Sequence, residues 1–355
     1  MPLLPLFGHQ ALRDRLNTQV ARGALPASLL LQGPPGVGKQ QLALWLGRRL
    51  LCTGANAPCG ECQHCKYALD GVHPDLRWYF PLPRLKDTAN VALEDVTEAY
   101  DAAVAERLED GGVYASPDGL AGIFVYVSRC IVQQATRTPA MARRKVFVVG
   151  NADRMVPQAS SAEAANAFLK LLEEPPEDTT LILTTSEPGA LLPTIRSRVV
   201  TVRVPRLGAD DMRAFVEHPS VRDTVAKSSK NLDALLALAN GAPGMLIGTD
   251  DRSAAVTRAK ALLDASRQGS DVRLRAAFTQ GSSKARGAFS DVLDALTVLL
   301  RDASQRAAVA GDAAGAVAAA RAVSVVEESK RAAEGNAIPQ LVTAQLLEQL
   351  AGLGA

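Results

Sequence analysis

Aromatic side chains are scarce in this chain, 4% of 355 residues, and so is any excess of charge: 39 basic against 37 acidic residues leave a net charge of +2. A balance so near zero excludes a global basic field that would gather nucleic acid by charge alone. No apolar run reaches the roughly 20 residues needed to cross a bilayer. The opening Met-Pro-Leu-Leu-Pro-Leu-Phe-Gly has neither a charged n-region nor a cleavage site, so no secretory signal is read there. A cytoplasmic protein without a membrane partner is expected. Cysteines number only five, and four of them are clustered; in a reducing compartment clustered thiols bind metal more often than they form disulfides. What the chain does have is apolar content, 47%, and much alanine. That is a globular chain long enough for two or three domains, with helix favoured in its C-terminal third.

The stretch Gly33, Pro34, Pro35, Gly36, Val37, Gly38, Lys39, Gln40 organises the rest. It follows an apolar run, Ser28 to Leu31, and precedes a helical pattern from Gln41 to Leu51. Strand, glycine loop and helix in that order are the context of a phosphate-binding P-loop. The glycines let the backbone turn its N–H groups toward anionic oxygens, Lys39 supplies a cation, and the helix N-terminus adds its dipole. The motif asks for Ser or Thr after the lysine, whose hydroxyl ligates magnesium; here Gln40 stands there. The loop reads either as a phosphate cradle or as a glycine-rich turn without ligand, and no magnesium site is expected.

Immediately after that helix come Cys52, Cys59, Cys62 and Cys65. Two overlapping two-residue gaps, Cys59 to Cys62 and Cys62 to Cys65, let thiolates converge on one tetrahedral ion. A structural four-cysteine zinc site is expected. Four thiolates close the coordination sphere, so catalysis is not. His64 competes as a ligand but finds no vacancy, His73 reads as structural, and Cys130 as a buried small apolar residue.

Other elements follow from periodicity. Residues 8–22 read as a helix, Leu76 to Phe80 as a short strand, Val127 to Thr136 as a helix. Between about 82 and 122 the pattern weakens, and the acidic helix-like stretch Val91 to Leu108 reads as an inserted surface excursion with a solvated charged face. Lys145 to Val149 reads as a buried parallel strand. In a P-loop ATPase such a strand ends in an acidic pair that holds magnesium and polarises water. This one ends in Gly150-Asn151, and Asp153 is expected in the turn beyond, too far to substitute. Asn166 to Glu174 reads as an amphipathic helix stopped by Pro175-Pro176. The strand Leu181 to Thr185 ends in the hydroxyls of Thr184, Thr185 and Ser186. Arg196 and Arg198, after a short apolar helix, read on composition alone as a solvated face. Val199 to Val204 is a last strand, and the remainder reads as helical, with Asp210–Glu217, Asn231–Leu238, Ser253–Leu263 and longer helices after Val272.

These landmarks together resemble the delta-prime subunits of the bacterial DNA polymerase III clamp loader, in the AAA+ superfamily. The resemblance rests on Phe7-Gly8-His9, the P-loop, the cysteine module, Asn166-Ala-Phe-Leu-Lys-Leu-Leu-Glu-Glu-Pro-Pro176 and Thr194-Ile-Arg-Ser-Arg198. The cysteine module narrows it to the gamma/tau and delta-prime branch. It implies an α/β P-loop AAA+ core at 1–207, with a zinc module at 52–65 and the insertion at about 82–122. An all-α lid at 208–268 and an all-α collar at 269–355 would follow. It implies gamma/tau and delta subunits as partners, with the sliding clamp and primed DNA reached through the complex. Gln40, Gly150-Asn151 and the lack of an arginine near Gly241-Ala-Pro-Gly244 depart from the ATPase members, which implies a subunit without hydrolysis of its own. ATP or ADP binding along Gly33 to Gln40, with Thr185, stays open. In the family the arginine matching Arg198 enters a neighbour's ATP site as a finger; the cysteine that follows it there is Val199 here. The rival readings are an active gamma-type ATPase, which needs the missing acidic pair, and a zinc-bearing DNA-binding protein, which needs a basic face and a reading helix.

Overall fold

The computed structural model describes residues 3–85, 91–109, 111–112, 121–155, 162–222, 236, 239–247, 250–279, 286–334 and 338–353. The chain divides into two compact units, residues 1–115 with 122–247 and residues 248–355 with 116–121.

The first unit is built on five strands: β1 (Ser28–Gln32), β2 (Leu76–Tyr79), β3 (Lys145–Val149), β4 (Thr179–Thr185) and β5 (Val200–Arg203). Their spatial order is β2-β3-β4-β1-β5, and every neighbouring pair is parallel. All residues of β3 and β4 are buried, whereas the edge strand β5 buries only Val202. Continuous apolar runs of β-branched and leucine residues are what central parallel strands need, because both sheet faces are covered.

Around the sheet run α1 (Gln10–Ala21), α2 (Lys39–Leu51), α3 (Gln63–Leu69), α4 (Leu93–Glu109), α5 (Val125–Thr136), α6 (Ala162–Glu173), the single turn α7 (Pro193–Arg196) and α8 (Ala209–Glu217). Helix α2, which leaves the P-loop, is buried along most of its length. Gly47 lets it approach the sheet: a Cβ there would lie 2.7 Å from Leu76. In α6, Phe168, Leu171 and Leu172 face the core at helical spacing. A smaller core joins Leu4 to Leu207, Met212, Phe215, Val216, Val221, Ala239 and Leu246, with Phe7 edge-on to Phe215 at 5.1 Å between ring centroids.

The insertion differs from its expectation. Its acidic side chains Glu94, Asp95, Glu98, Asp101, Glu106 and Glu109 are exposed as expected. The opposite face of α4, through Val96, Tyr100, Val104 and Leu108, is part of the main core. Tyr100 donates its hydroxyl to the Phe80 carbonyl at 2.7 Å, and Gly71 lies so close to α4 that a Cβ would meet Val104 and Leu108. The charged face is solvated as expected, but the apolar stripe at helical spacing on its other side packs into the core instead of forming a surface excursion.

The second unit comprises α9 (Asp250–Ser266), α10 (Ser270–Phe278), α11 (Arg286–Val309), α12 (Ala313–Glu334) and α13 (Pro339–Leu353). Ala255, Ala259 and Leu262 of α9 share one core with Phe289, Leu293 and Leu296 of α11, Ala322 and Val326 of α12, and Leu346, Leu347 and Leu350 of α13. The division between the two compact units falls after Ile247. Alanines at the crossings let these helices approach closely. The helix expected at Asn231–Leu238 lies outside the described residues, apart from Leu236. No described helix is long and apolar enough to cross a membrane.

Candidate functional site

The P-loop connects the C-terminal end of β1 to α2. Gly36 and Gly38 hold φ of +75° and +90°, a region that side chains with a Cβ rarely enter. Val37 between them is fully buried. His9 secures the loop from outside: its Nε2 donates to the Val37 carbonyl at 2.8 Å, a carbonyl being able only to accept. Burial lowers the His9 pKa, against an opposing pull from that carbonyl, so the ring stays neutral near pH 7. On another side the Gly244 N–H donates to the Gly36 carbonyl at 2.8 Å. A Cβ on Gly244 would come within 2.9 Å of Gly36 Cα, so glycine is required for this contact.

Lys39 is only 6% exposed. Its ammonium donates to the loop's own carbonyls, Gly33 at 2.9 Å and Pro34 at 2.7 Å, and to Ser186 Oγ at 2.7 Å. It is held against the loop at the ends of β1 and β4.

At the motif position of the magnesium-binding hydroxyl stands Gln40, and its side chain is engaged by protein. Gln40 Nε2 donates to Asn151 Oδ1 at 3.1 Å. Its Oε1 accepts from Trp78 Nε1 at 3.0 Å and from an Arg107 guanidinium N–H at 3.5 Å. Arg107 comes from α4 in the insertion, and its guanidinium lies over the Phe80 and Trp78 rings, 3.2 and 5.0 Å from the centroids. Gly150 completes the corner: a Cβ there would lie 2.6 Å from Gln40 Cδ and Oε1. The two departures in the sequence are thus one event in space. The long amide at position 40 fills the volume a side chain at 150 would use, and its described partners include no carboxylate.

Asp153 lies in the turn beyond β3, as expected, and makes a contact that the sequence did not show. Asn151 adopts a left-handed φ of 51° and starts a 3-10 turn, Ala152–Arg154. The turn brings Asp153 back, so that Thr185 Oγ1 donates to its carboxylate at 2.5 Å, and the Glu187 N–H donates to Thr185 at 3.0 Å. Burial raises the Asp153 pKa, the largest of several influences on it. The distance along the chain hid this contact, because positive φ at a non-glycine residue has no reliable sequence signal.

Arg198 sits on the surface between two helix ends. Its Nε donates to Glu173 Oε2 at 2.9 Å, at the C-terminus of α6, and its Nη1 donates to the Thr194 carbonyl at 3.0 Å and Ser197 Oγ at 3.4 Å. Arg196 turns elsewhere, donating to the Pro188 carbonyl at 3.3 Å.

The four cysteines converge. All four sulfurs lie within 4.8 Å of one another, Cys52 to Cys59 at 3.5 Å and Cys62 to Cys52 at 3.8 Å. A zinc ion with Zn–S bonds of about 2.3 Å holds its sulfurs roughly 3.8 Å apart, so the donor set fits such an ion. The N–H groups of Gly54 and Cys59 donate to Cys52 Sγ and that of Cys62 to Cys59 Sγ, each at 3.3 Å, which favours thiolates. In Cys62 burial opposes ionisation, but the N–H groups of Cys65 and Thr53 prevail and its pKa falls to about 5. Deeper burial pushes Cys65 up to about 12. A dication would resolve that conflict by neutralising the cluster. His64 Nδ1 pairs with His73 Nε2 at 2.9 Å, so both histidines are engaged beside the cluster. Cys130 is fully buried elsewhere.

Against this geometry the comparisons are specific. The protein-family model described as "DNA polymerase III, delta subunit" matches residues 8–208. DNA polymerase III subunit delta' of Pseudomonas aeruginosa is 33% identical over 216 residues, which is 60% of this chain and 52% of that protein. The chain therefore spans about half the length of that relative. Subunit delta' of Escherichia coli is 30% identical over 298 residues, 82% of this chain and 74% of that protein. The tau subunit of Escherichia coli is 27% identical over 238 residues, 66% of this chain and 30% of that protein. Among solved structures, a DNA polymerase III gamma subunit-related protein from Thermotoga maritima aligns with 96% of this chain and 100% of its own, at a TM-score of 0.39 and 17% identity. The parallel α/β core, the P-loop and the family match agree, and the chain belongs to the delta-prime family of DNA polymerase III clamp-loader subunits.

Proposed function

We propose that this chain is a non-hydrolysing AAA+ subunit of a clamp loader, which helps place a sliding clamp on primed DNA and completes a neighbouring subunit's ATP site with Arg198. The observation that carries this reading is the filled magnesium corner. Phosphoryl transfer needs a bridging metal ion and a group that positions water. Here Gln40 occupies that corner, joined to Asn151, Trp78 and Arg107. The cradle Gly33 to Lys39 is retained, which supports binding of ATP or ADP without turnover, with Thr185 beside it. Cys52, Cys59, Cys62 and Cys65 would hold a structural zinc ion. In this reading the AAA+ core spans 1–207, residues 208–268 act as a lid, and the helices of 269–355 form the collar through which the chain joins gamma/tau and delta subunits.

The experiment is to mix the purified chain with gamma/tau and delta subunits, then measure complex mass and ATPase rate. One copy entering a defined hetero-oligomer, with no turnover by the chain alone, is the expected result. Turnover by the isolated chain at about 1 per second or faster, abolished by Lys39→Ala, would overturn the non-hydrolysing reading.

A further inference from the structure

The contacts of Arg198 carry a further step, which rests on its proposed role as a finger. Of the guanidinium's nitrogens, Nε is held by Glu173 and Nη1 by Thr194 and Ser197. Nη2 makes no hydrogen bond among the described residues. The side chain is 31% exposed and Glu173 is 58% exposed, so the pair lies on the surface rather than in the core. Three acceptors therefore hold Nε and Nη1, and Nη2 is left to bind a further group. The acceptors come from two elements, the end of α6 and the end of α7, so the fork's direction depends on how the two ends meet.

We propose that Glu173 is a positioning residue: it holds Arg198 by Nε, so that Nη2 is aimed outward at the phosphates of a nucleoside triphosphate bound by an adjacent subunit. The physical reason is entropy. An arginine has many rotamers, and a finger that must be ordered on arrival loses binding free energy to that ordering. A finger already held loses little. The same contact adds little to folding, because an exposed ion pair is screened and flexible. Function and stability thus respond differently to its loss. Oε2 of Glu173 accepts from Nε and not from Nη2, so a phosphate oxygen could bind Nη2 without replacing that hydrogen bond. Arg196, which donates to the Pro188 carbonyl, has no carboxylate holder among the described residues.

The test uses the assembled complex, with Arg198→Ala setting the scale of what the finger contributes. Glu173→Ala is expected to lower the ATPase kcat of the neighbouring site by about two- to ten-fold, the equivalent of leaving one rotamer-rich side chain unordered. The KM for ATP should not change. Glu173→Gln, whose amide oxygen still accepts from Nε, should recover most of the rate, and Glu173→Lys should fall at least as far as Glu173→Ala. The double variant with Arg198→Ala should be no slower than Arg198→Ala alone, which a merely structural role would not produce. If Arg198→Ala slows the complex while Glu173→Ala matches or exceeds the unmodified rate, the positioning role is wrong and the finger stands. If Arg198→Ala itself leaves the rate unchanged, the finger reading fails, and this inference with it.

Discussion

Two corners of the first unit carry motifs suited to ions, and they differ in what fills them. At the cysteine cluster all four donors remain, close enough to share one ion. At the P-loop the glycines and Lys39 remain, but the magnesium corner holds a side chain. The difference shows how protein side chains can satisfy a polar corner without an ion. A buried corner emptied of its metal and carboxylate would strand polar groups without partners. Here Gln40 donates to one neighbour and accepts from two, and the absence of a side chain at Gly150 makes room for it. The cysteine cluster has no such filler among the described residues: its N–H groups point at sulfur, and a dication held there would offset the conflict between a lowered Cys62 and a raised Cys65.

The largest expected effect breaks the intact corner. Cys62→Ser should take zinc from one ion per chain to nearly none by elemental analysis, and should lower the melting temperature of the first unit. Structural zinc sites contribute on the order of 10 kcal/mol or more of apparent binding free energy. A well-folded, metal-free preparation from zinc-replete cells would remove the contrast between the two corners.

Next comes Arg198, the group through which a chain with a filled corner could still act in hydrolysis. Arg198→Ala should leave the isolated chain folded, as seen by circular dichroism, and should leave complex assembly intact. Stimulated ATPase of the complex should fall. An arginine finger accounts for about 10³-fold or more at its own site, and less across a complex whose other sites keep their own arginines. Arg198→Lys should rescue poorly, because an ammonium lacks the planar fork, and Arg196→Ala should matter less.

A double-variant cycle sharpens the account of the filled corner. Gly150→Asp should destabilise the first unit by about 1–3 kcal/mol, the usual cost of overpacking, measured by chemical denaturation. Gln40→Ser should relieve that cost, giving a coupling between the two substitutions of roughly 0.5–3 kcal/mol. Additive effects would mean that Gln40 and Gly150 do not share one volume.

The smallest effect is a pH dependence at the P-loop's outer support. The His9 pKa is lowered by burial from its ordinary value of 6.5. The unfolded chain then binds a proton that the folded chain refuses, so this residue's contribution to stability falls as pH drops below 6.5 toward the lowered folded value. His9→Asn should flatten the pH dependence of the melting temperature below about pH 6.5. An unchanged slope would place the dependence on other groups.

The sequence by itself determined whatever depends on neighbours along the chain. The P-loop, the cysteine spacing and the buried strands Lys145–Val149 and Thr179–Thr185 each lie in one contiguous stretch. Their physical requirements, glycine for positive φ, two-residue gaps for converging thiolates and unbroken apolar runs for central strands, are local. The absence of an acidic pair after β3 was equally legible. Only the tertiary structure decided what replaced it. Gln40 lies 38, 67 and 111 positions from Trp78, Arg107 and Asn151, and these meet because the strand order β2-β3-β4-β1 gathers the ends of distant strands at one edge. The same holds for Glu173 and Arg198, 25 positions apart, and for His9 under Val37. Arg107 carried no signal at all. It sits in an acidic, surface-like stretch, and its burial depends on which face of α4 turns inward, which is set by the apolar surface that Tyr79, Phe80 and the rest of the core present to that helix.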